Sequence, residues 1–269
     1  MSDRVDAFYE ALVQVDRPEV WIDVADREAV SAEFDAAHGP LAGLLLAVKN
    51  NVDVEGYPAT AACPDFATSP AADDAQVVAR LRAAGATVVG TTNMDQFATG
   101  LVGQRSPYGG VRNAHRHEFV SGGSSSGSAV AVALGLADIA IGTDTAGSGR
   151  VPAAFQGIVG IKPTLGLVST DGVLPACRSW DAVTIMARPG YRRCGDGCDG
   201  RRRRHPPDPV GHSAGRSPES DRRHPRRPSL PRTRLGGRLR PMRRAPAGSG
   251  RRDPADSIRQ LRRRRPDAV

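Results

Sequence analysis

Apolar side chains recur at spacings of three and four at the start of the chain. Val5, Phe8, Leu12 and Val15 predict an amphipathic helix over residues 3–15. The pattern then shortens. Leu41 to Val48 (LAGLLLAV), after Gly39 and Pro40, predicts a buried strand ending near Lys49. Asp73 and Asp74 place negative charge where a helix N-terminus favours it, with Val77, Val78 and Leu81 as the apolar face and Gly85 as the stop. Ala86 to Gly90 (ATVVG) reads as a strand. Ser126 to Leu136 is apolar nearly all round, as a buried helix is, and Asp138 to Thr143 (DIAIGT) reads as a further strand. Strands alternating with helices imply an α/β core with parallel pairs.

Composition divides this picture in two. The 269-residue chain carries a net charge of +8, yet residues 1–188 hold 13 Lys and Arg against 21 acids, a balance of −8. Residues 189–269 hold 24 Arg, no Lys and 8 acids, a balance of +16, with 12 of the 21 prolines and one aromatic, Tyr191. That second segment lacks the apolar content to offset chain entropy and is expected to be disordered. The domain expectation is therefore a folded unit over 1–188 and a basic tail over 189–269. No run of 18 apolar residues is present, so no membrane helix is expected. The N-terminus lacks an apolar signal region, and Cys63, Cys177, Cys194 and Cys198 are too sparse for a disulfide framework. The cytoplasm is the expected compartment.

Two segments carry candidate chemistry: SGGSSSGSAVAVALG at 121–135 and GTDTAGSGRVPAAF at 142–155. Each sets a Gly-rich turn with serines beside a hydrophobic element. Such turns let backbone N–H groups converge, as a phosphate or an oxyanion requires. The phosphate-loop pattern needs a Gly-Lys-Ser/Thr that is missing here, and plain structural turns remain a third reading. Ser148, at the end of one turn, is a candidate nucleophile. Its base is not obvious. His38, His115 and His117 sit in no recognisable motif, and residues 1–188 hold two lysines, Lys49 and Lys162.

Over residues 1–188 these segments resemble the amidase signature family. Lys49 in LAVKNNVDVEG, Ser124 after Gly122-Gly123, and Ser148 in DTAGSGR fall on the family's lysine, bridging serine and nucleophile, at intervals of 75 and 24 residues. The resemblance implies a mixed β-sheet core flanked by helices, a cis peptide at the bridging serine, and amide hydrolysis through a covalent acyl-enzyme. It also implies oxyanion donors at Thr145, Ala146, Gly147 and Ser148, and pocket-lining residues at Ala98, Thr99 and Gly100. A neutral lysine is needed for the base, so Lys49 must be desolvated from its free pKa of about 10.4. Asp144 and Arg150 are expected to hold the turn, and Lys162 in GIKPT matches a structural position. Neither cofactor nor metal is expected.

Within the family the likeness is greatest to allophanate hydrolases, through Gln96 in TNMDQFATGLVGQRSPYG, Ala146 in DTAGSGR, and the segments YPATAACPDFA and LPACRSWD. That implies a small, anionic amide, urea-1-carboxylate, whose charge Arg105, Arg112 or Arg178 would have to meet. The resemblance allows a family-like homodimer, which a chain that leaves the family pattern after Arg188 is not expected to keep. Thr91 and Gln104 depart from the subfamily's usual Lys and Thr. The larger departure follows Arg188, where family members continue for several hundred residues. Three readings of the tail arise. Its arginines would bind nucleic acid if the tail is genuine. Cys194, Cys198, His205 and His212 allow a zinc spacing but lack ordered flanks. The third, preferred, is a shifted reading frame: one permitted codon choice for PGYRRCGDGC, read one base later, gives RVTDAAVTV. On that reading the chain keeps its three reactive side chains, loses part of its pocket, tends to aggregate, and turns over little allophanate.

Overall fold

The computed structural model describes residues 3–190. In chain order the helices are α1 (Asp3–Val15), α2 (Arg27–Ala36), α3 (Gln76–Ala83), α4 (Ser126–Ala133) and α5 (Arg150–Phe155). The strands are β1 (Trp21–Val24), β2 (Leu45–Lys49), β3 (Thr87–Thr92), β4 (Ile139–Asp144), β5 (Val159–Ile161) and β6 (Ala182–Ala187). They form one six-stranded mixed sheet in the order β1-β3-β2-β4-β6-β5. β2 runs parallel to both β3 and β4, while β1 and β6 pair antiparallel with β3 and β4. The parallel centre is as the alternation of strands and helices leads one to expect, and the mixed sheet is as the family resemblance implies.

Every residue of β2, β3 and β4 is buried, as parallel strands covered on both faces should be. Alternation along β2 sends its side chains into two cores. Leu45 and Ala47 pack with Val5 and Phe8 of α1, Val30 of α2 and Ala129 to Val132 of α4. Leu46 and Val48 pack with Val77 and Val78 of α3. By the same alternation Lys49 belongs to the layer that holds α4.

Three elements differ in detail from the sequence pattern. The strand expected from Leu41 begins at Leu45. Leu41 N–H instead donates to Ala84 O and Leu44 N–H to Leu41 O, so those apolar residues form turns. α3 begins at Gln76, just after the two acids, with Ala75 at its N-cap and no side-chain cap, and the Asp74 carboxylate accepts from Glu55 N–H at 2.8 Å. Gly85 does follow the helix, at φ +99°. Finally, β1 and α2 fill the stretch 16–40, to which the pattern assigns nothing. Among the described residues no helix is long and apolar enough to cross a membrane, and no cluster of three metal-ligating side chains is present. Cys194, Cys198, His205 and His212 lie outside the described residues.

Candidate active site

The C-terminal ends of β2 and β4 meet the start of α4, and the polar groups gather there. Lys49 ends β2 with no solvent exposure. Its Nζ donates to Ser124 Oγ at 2.8 Å and to Thr143 Oγ1 at 2.7 Å, and it forms no ion pair among the described residues. Burial drives the Lys49 ammonium down to about 7, against the opposing pull of Asp95, Asp144 and Asp181. An amine held by hydroxyls alone, with its carboxylates at a distance, holds comparable amounts of its neutral and charged forms near neutral pH.

Ser124 is buried and follows a cis peptide from Gly123. Ser148 is tied to it through the main chain: Ser125 N–H donates to Ser148 O at 3.1 Å. The Ser148 hydroxyl donates to Gly100 O at 3.5 Å. No hydrogen bond joins the Ser124 and Ser148 hydroxyls in this conformation.

The turn from β4 into α5 is built on Asp144. Its carboxylate accepts from Gly147 N–H at 2.8 Å, Gly149 N–H at 3.2 Å and Arg150 N–H at 3.1 Å, and from the Arg150 side chain at 2.9 and 3.0 Å. Burial alone would raise this carboxyl. The Arg150 guanidinium and the three N–H donors outweigh it and hold Asp144 at about 2. The Gly147 N–H is thus an anchor of the turn, while the N–H groups of Thr145, Ala146 and Ser148 have no acceptor among the described residues. Thr145 Oγ1 donates to Asp181 Oδ1 at 2.5 Å, and both Asp181 oxygens accept from Cys177 N–H.

Of the expected pocket residues, the structure brings Gly100 against Ser148. Ala98 packs with Ala61, Ala62 and Met94, and the Thr99 hydroxyl turns back to Gln96 O. The candidate arginines divide similarly. Arg105 donates to Thr99 O at 2.6 Å and Arg112 pairs with Glu19 at 2.8 Å. Arg178 lines a cavity of about 540 Å³ with Asp53, Phe66, Asp171 and Leu174. Leu174 of that lining accepts from Asn51 Nδ2 at 3.0 Å, and Asn51 lies two residues beyond Lys49. Lys162 donates to Pro163 O. Sequence reasoning missed Thr143, Asp95 and Asp181. Thr143 looks like any strand threonine, and the two acids carry no local signal that they are buried.

The geometry agrees with the family assignment. Residues 3–189 match the amidase family, and the chain belongs to it. Urea amidolyase from Saccharomyces cerevisiae is 54% identical over 174 residues, which is 62% of this chain and 9% of that protein. A glutamyl-tRNA(Gln) amidotransferase subunit from Salinibacter ruber is 50% identical over 149 residues, covering 55% of this chain and 29% of that protein. Among solved structures, allophanate hydrolase from Kluyveromyces lactis superposes with a TM-score of 0.61 at 43% identity, covering 68% of this chain and 32% of that one. The chain therefore spans a minor part of each of these relatives.

Proposed function

We propose that Lys49, Ser124 and Ser148 hydrolyse an amide C–N bond, with allophanate as the substrate. Neutral Lys49 takes a proton from Ser124 as Ser124 takes one from Ser148, whose hydroxyl leaves Gly100 O to do so. Ser148 Oγ bonds to the amide carbon, and the N–H groups of Thr145, Ala146 and Ser148 face the oxyanion. The C–N bond breaks, Lys49 returns the proton through Ser124, and ammonia departs. Water then releases the acyl group by the same route in reverse. For allophanate the released dicarboxylate decays to ammonia and carbon dioxide. The reading asks for no cofactor and assigns the protein to the cytoplasm with a small-molecule partner.

The observation that carries this reading is the 2.8 Å contact between Ser124 and a wholly buried lysine poised at about 7. The substrate choice rests on Gln96, Ala146 and LPACRSWD, and on likeness to a urea amidolyase and an allophanate hydrolase. A different small amide is the second reading, favoured by the 50% identity over 149 residues to a glutamyl-tRNA(Gln) amidotransferase subunit. We also read residues 189–269 as out of frame, since the family match ends at 189 where the charge balance reverses. Sequencing codons 180–200 tests that: a genomic frame that does not resume the family pattern overturns it, and salt-sensitive nucleic-acid binding lost on deleting 189–269 would favour a genuine tail. Because turnover is expected to be small, acylation is the better measure of function. A fluorophosphonate should label Ser148, the label should vanish in Ser148→Ala, and allophanate should protect better than glutamine. Equal protection by glutamine would favour the second reading. No label on Ser148, or a label undiminished in Lys49→Ala, would overturn the mechanism.

A further inference from the structure

We propose that Asp95 is a positioning residue that keeps the two serines in register and sets the charge environment of Lys49; this rests on the acyl-transfer reading above. Asp95 is fully buried just beyond β3, where a carboxylate needs specific partners. Its Oδ2 accepts from Gly103 N–H at 3.0 Å and its Oδ1 from Arg105 N–H at 2.8 Å. Both donors belong to the loop that carries Gly100, whose carbonyl receives the Ser148 hydroxyl. The main chain of Asp95 reaches the other serine, its N–H donating to Ser124 O at 3.1 Å. One residue therefore touches the supports of both hydroxyls.

The fit is close. A Cβ added at Gly100 would lie 2.5 Å from Asp95 Oδ2, and one added at Gly123 would lie 2.1 Å from it. The carboxylate is wedged between the backbone that holds Ser148 and the backbone that precedes Ser124, and Gly123 N–H closes the gap by donating to Leu101 O at 2.9 Å. Among the described residues no other carboxylate of the site bridges these two segments. Asp144 binds its own turn, and Asp181 binds Thr145 and Cys177.

The charge has a separate consequence. Lys49 is faced by Asp95 from beyond β3, by Asp144 from the end of β4 and by Asp181 from before β6. Each of the three favours the ammonium and offsets part of its burial. Removing the Asp95 charge should make Lys49 easier to deprotonate, a change that a purely mechanical support would not produce.

Two variants separate position from charge, with fluorophosphonate labelling of Ser148 in the 269-residue chain as the readout across pH 5–9. Asp95→Asn keeps the shape and removes the charge: labelling should slow and the midpoint of its pH profile should move to lower pH. Gly100→Ala keeps the charge and displaces the carboxylate: labelling should slow by about 100-fold, the scale of a 1 Å misplacement, with the midpoint unmoved. Wild-type rate and midpoint in Asp95→Asn overturn the proposal. A slowed rate with an unmoved midpoint in Asp95→Asn reduces Asp95 to a structural contact and also overturns it. If circular dichroism shows Asp95→Asn unfolded, Gly100→Ala decides, and a wild-type rate there overturns the proposal. Lys49→Ala runs alongside. Labelling undiminished in that variant sinks the acyl-transfer reading itself, an outcome distinct from all of these.

Discussion

Lys49 Nζ and Thr143 Oγ1 are 2.7 Å apart, joining the ends of two parallel strands through a buried amine and a hydroxyl. The contact gives the lysine a second hydroxyl partner besides Ser124 and leaves no carboxylate in its direct reach. Thr143→Val preserves shape and deletes that acceptor, which disfavours the ammonium more than the amine. The pH profile of Ser148 labelling should shift to lower pH. A midpoint unchanged from wild type would show that the threonine does not influence the base.

The lysine makes a signed prediction for stability. Its folded pKa is about 7 against an ordinary value of 10.5, so between these pH values the unfolded state binds the extra proton and folding is favoured as pH rises. Below about 7 the full cost of burying the ammonium is present. Lys49→Met should therefore be more stable than wild type at pH 7, and the difference should shrink toward pH 10.5. Urea titrations at pH 7 and 10 check both the sign and the convergence.

Asp144 is opposite in sign. Its carboxyl is held at about 2, below its ordinary value of 3.8, so its contribution is present above pH 3.8 and is lost as pH falls through 2. Asp144→Ala leaves three N–H groups and a guanidinium without their shared acceptor. We expect a loss on the order of 2 kcal/mol, the scale of hydrogen bonds to a charged group, together with loss of Ser148 labelling. Chemical denaturation at pH 7 measures the first.

At the other side of the sheet, β5 pairs with β6 alone among the described residues, and its Val159 and Ile161 are 44% and 60% exposed. Leu167 and Trp180 are also open to solvent. An uncovered edge strand with apolar faces templates further pairing. Ile161→Lys should reduce light scattering of the concentrated protein without altering Ser148 labelling, and unchanged scattering would place self-association elsewhere.

The sequence made some parts of this structure plain and hid others for physical reasons. β2, β3, β4 and α4 are legible because continuous apolar runs have no other place to go. Ser148 stands out at the end of a Gly-rich turn and the rarity of lysine leaves Lys49 and Lys162, whereas Ser124 and the choice of Lys49 are implied by the family resemblance alone; the fold brings Lys49 and Ser124 into contact. α2 is obscured because Val30 is its single buried residue. β1 is four residues long and carries Asp23. Leu41 reads as strand because hydrophobicity does not report which backbone partner is taken. Asp74 reads as a charge at a helix N-terminus, and its carboxylate also accepts from the distant Glu55 N–H. Asp95 and Asp181 look like surface acids, since a single sequence does not show which carboxylates have been assigned donors.

The desolvated amine at the end of β2 has a corollary for the life of the chain. On the proposed mechanism its three proton-handling residues come from segments 75 and 24 positions apart, and their chemistry depends on the sheet that gathers them. A newly made or melted chain carries an ordinary ammonium at position 49 and an inert alcohol at 148. On that mechanism reactivity is switched on by assembly of the core, and a covalent probe of that alcohol would double as a count of correctly folded molecules.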